Sequence, residues 1–207
     1  MSLLAALDYA SVFVFALTGA LVASRAQLDL IGFIFIASLT AVGGGTLRDV
    51  ILNRDTVFWV ANPAFIGVAA SAAVIVFFTA HLLESRYRGI VWLDALALAV
   101  AVPSGVGVAL AMDMPSSIIV IMGITTGCFG GLMRDVVCNE VPLVLKQGEL
   151  YVTCALTGAL ATLVALGFGT TVPLALLSCA VATFALRTGS IALGWRLPVY
   201  KSFPPRQ

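Results

Sequence analysis

Apolar stretches of about twenty residues follow one another from residue 5 to residue 194, with only short polar breaks between them. No other feature limits the fold so much, because each stretch is long enough for one helix to cross a bilayer. A membrane β-barrel would alternate apolar and polar residues in strands of about ten, and no such alternation runs through this chain. Charge agrees: 10% of residues are charged, where a soluble domain carries about 25%. The sequence therefore reads as an all-α membrane protein. Seven spans are expected at 5–23, 30–58 (interrupted), 63–83, 90–111, 117–141 (interrupted), 150–169 and 172–194. They consume most of the chain and leave no room for a soluble catalytic domain.

Orientation is read from Lys and Arg, since a net charge of +1 carries no information. With the N-terminus outside, the inner loops and tail hold Arg25, Arg86, Arg88, Arg134, Lys146, Arg196, Lys201 and Arg206. The outer side then holds Arg48 and Arg54, while Arg187 lies within the last span. This excess of cations on one side favours N-out, C-in by the positive-inside rule. The first span has no Lys or Arg before it, so it lacks the charged start of a secretory signal. Cys128, Cys138, Cys154 and Cys179 lie in or beside apolar stretches without CxxC spacing, and read as small buried side chains. His81 stands alone, so no metal site is expected.

Within this apolar frame one motif occurs twice. "GGTLRDVILN" at 44–53 and "GGLMRDVVCN" at 130–139 share six of ten residues at an offset of 86. The same offset carries Asp8 onto Asp94, Gly19 onto Gly105 and Ala69 onto Ala155 without a gap. Spans 1–3 and 4–6 are thus expected to be copies, with 1–89 as the first three-helix unit, 90–171 as the second, and 172–207 as a seventh helix and cytoplasmic tail. Three is an odd number of crossings, so the second copy must enter from the opposite face and the repeat is inverted. Such folds place their path at the repeat interface, near paired Gly- or Pro-interrupted segments.

Those segments are spans 2 and 5. Gly43, Gly44 and Gly45 in one, and Gly127, Gly130 and Gly131 in the other, are read as a helix kink or break, each glycine costing about 1 kcal/mol relative to Ala. Their competing use is to let helices pack closely. Arg48-Asp49 and Arg134-Asp135 follow the breaks, and intramembrane charge marks a path or an ion pair. Arg48 could instead snorkel to the headgroups, lying about 27 Å along its span. The repeat offers each Arg a partner at the same membrane level: Asp8 for Arg48 and Asp94 for Arg134. Thr18 and Ser104, equivalent under the offset, are candidate pore hydroxyls, or else bond a carbonyl of their own helix. Pro103 in span 4 and Pro142 after span 5 are expected to add local breaks.

Taken together, the seven spans, the three-plus-three duplication and the "GGGTLRDV"/"FGGLMRDV" pair resemble prokaryotic members of the trimeric intracellular cation channel family. The resemblance covers nearly the whole chain. It implies a homotrimer with an hourglass pore in each protomer, lined by spans 2 and 5 kinked at Gly43–Gly45 and Gly130–Gly131, and passing K⁺ and Na⁺. It also makes Arg48, Asp49, Arg134 and Asp135 the polar residues flanking that pore. Animal members carry a lysine-rich segment after the span 5 break. Here "RDVVCNEVPLVLK" offers only Arg134 and Lys146, which argues against phosphoinositide regulation, and the short tail and small size favour a bacterial or archaeal plasma membrane.

Two readings follow. The first is a monovalent cation channel. The alternative is a secondary transporter of a small solute such as glycine, because related bacterial sequences are described as glycine transporters and inverted repeats suit transporters. Catalysis is not expected: there is no Ser/His/Asp set, no HExxH and no P-loop. No cofactor, metal or nucleic acid is called for; the expected partners are the lipid bilayer, permeant cations and two further copies of the chain.

Overall fold

The computed structural model describes residues 2–82 and 85–200. Within them run eight α-helices: α1 (Leu3–Arg25), α2 (Leu30–Ile51), the short α3 (Phe58–Ala61), α4 (Ala64–Thr79), α5 (Arg86–Ala111), α6 (Ser116–Val137), α7 (Tyr151–Gly167) and α8 (Val172–Leu193). Six of these, α4 counted with the 3₁₀ turn that follows it, are long and apolar enough to cross a membrane. The apolar α7 spans 17 residues, about 26 Å, at the short end of a membrane crossing. Seven apolar helices thus stand where seven spans were expected. Residue 83 of the third expected span, and Lys201 and Arg206 of the tail, lie outside the described residues.

The sequence sets these helix ends locally. Ser2, Asp29 and Ser85 begin α1, α2 and α5 by accepting backbone N–H groups of the first turn. Pro173 sits in the first turn of α8, and Gly194 closes that helix in the left-handed region at φ 70°. Four non-glycine residues adopt positive φ just beyond helix ends: Gln27, Asn53, Asp113 and Asn139. They form two pairs, 27 with 113 and 53 with 139, each at the offset of 86. A turn conformation that most side chains avoid recurs at that interval.

Three expectations are corrected. Spans 2 and 5 are not interrupted: α2 and α6 stay helical through Gly43–Gly45 and Gly127–Gly131. Span 2 ends at Ile51 rather than 58, and a loop leads to α3; span 5 ends at Val137 rather than 141. Pro103 does not end a helix either, since α5 continues past it to Ala111. Pro142 does mark a break, introducing the 3₁₀ turn Leu143–Leu145.

Helices α1 and α5 form the centre, each packed on the other, with α2 and α4 against α1 and with α6 and α8 against α5. The outer faces of α2, α4, α6 and α8 expose Ile31, Phe35, Phe78, Ile121 and Val181, as lipid-facing helices do. The repeat is not followed to the end: α4 lies on α1, but α7 packs chiefly on α8.

The candidate ion path and its paired charges

Helices α2 and α6 cross where the glycines lie. A Cβ on Gly44 would strike the Thr126 carbonyl, and a Cβ on Gly130 would strike the Thr40 carbonyl. Thr40 and Thr126 are themselves 86 apart, and each donates its hydroxyl to the carbonyl one turn back, Ile36 at 2.6 Å and Met122 at 2.7 Å. Contact of 40 with 130 and of 44 with 126 means that the two helices run antiparallel. Gly19 meets Thr40 and Ile36, and Gly105 meets Thr126 and Met122, so α1 joins α2 as α5 joins α6. The glycines therefore do what the alternative reading held: they let backbones touch. Gly127 likewise admits Val102 of α5, and Gly43 faces the thioether of Met133.

One turn beyond the crossing stands Arg48, wholly buried. It does not snorkel. Its Nη1 donates to Asp8 Oδ1 at 3.1 Å and to Ser104 Oγ at 3.1 Å, while Nε donates to Asp49 Oδ1 at 2.8 Å. Ser104 in turn donates to Asp8. Asp49 also accepts from Arg54 at 3.2 Å and from the Phe58 amide at 2.8 Å, which ties α3 back to α2. The Phe58 ring lies 5.4 Å from the Arg48 guanidinium carbon and fills the space over Gly45.

Arg134, equally buried, repeats the pattern. Nη1 donates to Asp94 Oδ1 at 3.1 Å and to Thr18 Oγ1 at 2.9 Å, and Nε donates to Asp135 Oδ1 at 2.7 Å. Asp135 accepts the Leu143 amide at 2.9 Å, as Asp49 accepts that of Phe58. Both expected Arg–Asp pairs are thus present, and each hydroxyl serves the Arg of the other half. Thr18 also bonds its own helix, at Phe15 O. The first-half cluster opens on a cavity of about 490 Å³ lined by Asp8, Tyr9, Arg54 and Asn62. Asp94 is sealed, its second oxygen held by the Tyr151 hydroxyl.

Sequence reasoning missed Phe58, Tyr151, Glu149 and Arg187. Arg187 of α8 bonds Glu149 at 2.6 Å and lies over the Tyr151 ring. A lone Arg within the last span was itself a signal, since such a charge calls for a carboxylate.

The sequence profile of a family described as glycine transporter matches the chain twice, over residues 5–81 and 91–166, two stretches that begin 86 apart. Over 204 residues the chain is 37% identical to a UPF0126 membrane protein of Vibrio cholerae serotype O1, covering 96% of this chain and 83% of that one. It is 35% identical to the UPF0126 inner membrane protein YadS of Escherichia coli strain K12, with 94% of each covered. Among solved structures, the trimeric intracellular cation channel orthologue from Rhodobacter sphaeroides aligns with a TM-score of 0.90 at 40% identity, over 94% of this chain and all of that one.

Proposed function

The chain belongs to the glycine transporter family and shares the fold of the trimeric intracellular cation channels; from that premise we propose that it conducts monovalent cations, K⁺ and Na⁺, along a path in each protomer lined by α2 and α6. One observation carries this reading. Each buried guanidinium is held by two carboxylates, Arg48 by Asp8 and Asp49, Arg134 by Asp94 and Asp135. Arginine near a cation path would ordinarily raise a barrier in a medium of low dielectric. Here each trio carries a formal charge of −1, and only the first is brought to neutrality, by Arg54. A cation approaching the α2–α6 crossing from the Asp8 end meets a part-exposed carboxylate, and at the other end it faces an enclosed cluster of net negative charge; at neither end does it face unpaired positive charge.

The antiparallel crossing of α2 and α6, equivalent under the offset, supports an inverted repeat of residues 1–89 and 90–171, with 172–207 as the added helix and tail. The protomers assemble as a homotrimer in a bacterial or archaeal plasma membrane, N-terminus outside and C-terminus in the cytoplasm. The polar residues flanking the path are Asp8, Arg48, Asp49 and Ser104 at one end, and Thr18, Asp94, Arg134 and Asp135 at the other.

A second reading has its own support. The cavity at Asp8 brings a carboxylate and the Arg54 guanidinium together, a pairing that suits a zwitterion such as glycine. Planar-bilayer recording in asymmetric KCl, beside glycine uptake into liposomes of the same preparation, separates the two. Unitary openings that reverse near the K⁺ potential, without saturable uptake, establish the channel. Silent bilayers with saturable, competable uptake establish the transporter.

A further inference from the structure

The two charge clusters are twins in their Arg, Asp and hydroxyl, yet not in what holds the second carboxylate. Asp8 is 14% exposed at its side chain and faces the cavity, whereas Asp94 is fully enclosed. The difference is Tyr151, whose hydroxyl donates to Asp94 Oδ2. Its equivalent 86 residues earlier is Phe65, which has no hydroxyl and stacks on Tyr9 with ring centroids 4.1 Å apart.

Tyr151 does not stand alone. The guanidinium carbon of Arg187 lies 5.1 Å from its ring centroid, and Arg187 is wholly buried. Nη1 of Arg187 bonds Glu149, two residues before Tyr151, so one side chain of α8 grips both the start of α7 and the face of the ring. The loop that carries Glu149 is itself clasped by the tail, since Leu197 donates its amide to the Gly148 carbonyl at 3.0 Å. Contact therefore runs without a gap from the tail through Glu149, Arg187 and Tyr151 to Asp94 and Arg134. Among the described residues nothing in the first half corresponds to it, because α8 has no copy there.

We propose that Arg187 is a positioning residue for the second charge cluster: by fixing the Tyr151 ring it keeps the phenol on Asp94, holds that end of the path closed, and so gives the seventh helix control of the open fraction. The proposal rests on the conduction reading above. A carboxylate oxygen engaged by a phenol is withdrawn from a passing cation, and a ring pinned under a planar cation cannot swing aside to free it.

The test records the full-length protein in planar bilayers as wild type, Tyr151→Phe, Arg187→Gln, Arg187→Lys and the Tyr151→Phe/Arg187→Gln double variant. Thermal unfolding is measured on each. Tyr151→Phe and Arg187→Gln should each raise open probability about tenfold, the lower end of what a hydrogen bond to a charged group is worth. The double variant should match either single one, and open probability should change more than unitary current. Arg187→Lys keeps a cation for Glu149, so it should recover thermal stability while open probability stays high; a merely structural role would restore both. Additive effects on open probability, or an Arg187→Gln variant that gates as wild type, overturn the proposal. If the wild type shows no unitary events, the conduction reading falls and the unfolding temperatures decide. Non-additive losses then uphold the Arg187–Tyr151–Asp94 coupling, and additive losses overturn it.

Discussion

At the residue scale, a guanidinium withdrawn from water is stable only while its partners remain charged and close. Arg134 and Asp94 are both fully enclosed, whereas Asp8 keeps partial contact with its cavity. Asp94→Asn should therefore cost about 2–3 kcal/mol, below the 3–5 expected for outright loss of a partner because Asn still accepts one bond. Asp8→Asn should lower the unfolding temperature less, and equal temperatures for both variants and wild type would refute the pairing. The glycines three residues before the motif arginines allow a second comparison. A Cβ at Gly45 would enter the Phe58 ring at 2.6 Å, but at Gly131 it would rest 3.5 Å from Asp94 Oδ1 and from the Tyr151 hydroxyl. Gly131→Ala should fold as wild type and Gly45→Ala should not, as read by yield and melting temperature. The Arg48–Asp8 and Arg134–Asp94 pairs were legible in sequence, because the order of the spans put Asp8 and Arg48 at one membrane level and the offset of 86 repeated the arrangement at Asp94 and Arg134. Phe58 and Tyr151 were not, since their contacts join distant parts of the chain and leave no local pattern.

Elements fared differently. Apolar length placed seven long helices, but glycine misled at α2 and α6. A glycine's cost in an isolated helix can be reckoned from sequence; whether another backbone occupies the space of its missing side chain cannot. Here Thr126 and Thr40 carbonyls occupy it at Gly44 and Gly130, and the helical hydrogen bonds persist. It follows that the smallest side chain should push α2 and α6 apart. Gly44→Ala and Gly130→Ala should each cost about 1–3 kcal/mol, the usual penalty of overpacking. Gly43→Ala should cost less, because the end of the flexible Met133 side chain is what it meets. Gly44→Leu and Gly130→Leu should abolish flux in protein that still inserts. Undiminished flux in both would show that the crossing does not shape the path.

For the molecule as a whole, the buried pairs alter how orientation is read. Arg48 and Arg134 are neutralised inside the bundle, so neither contributes to the positive-inside balance. Arg86 is partly committed too, its Nη1 closing the end of α1 at the Ser24 carbonyl. Even so, Arg25, Arg88, Lys146 and Arg196 remain on the side that faces the cytoplasm if the N-terminus is outside, against Arg54 on the other. An inverted repeat makes a sharper demand than the charge count: equivalent loops must open on opposite faces. Asp55 and Val141 are equivalent at the offset of 86, both are exposed, and neither needs a positive φ. Cysteine placed at each, in a Cys138→Ser background that removes the native thiol outside the buried set, can be probed with a membrane-impermeant maleimide on intact cells and on inverted vesicles. Asp55→Cys should label only from outside and Val141→Cys only from the cytoplasmic face. Labelling of both from one side would mean that the halves run parallel. The antiparallel contact of Thr40 with Gly130 and Gly44 with Thr126 would then lose its explanation as a product of duplication, and the two charge clusters would no longer sit at opposite ends of one path.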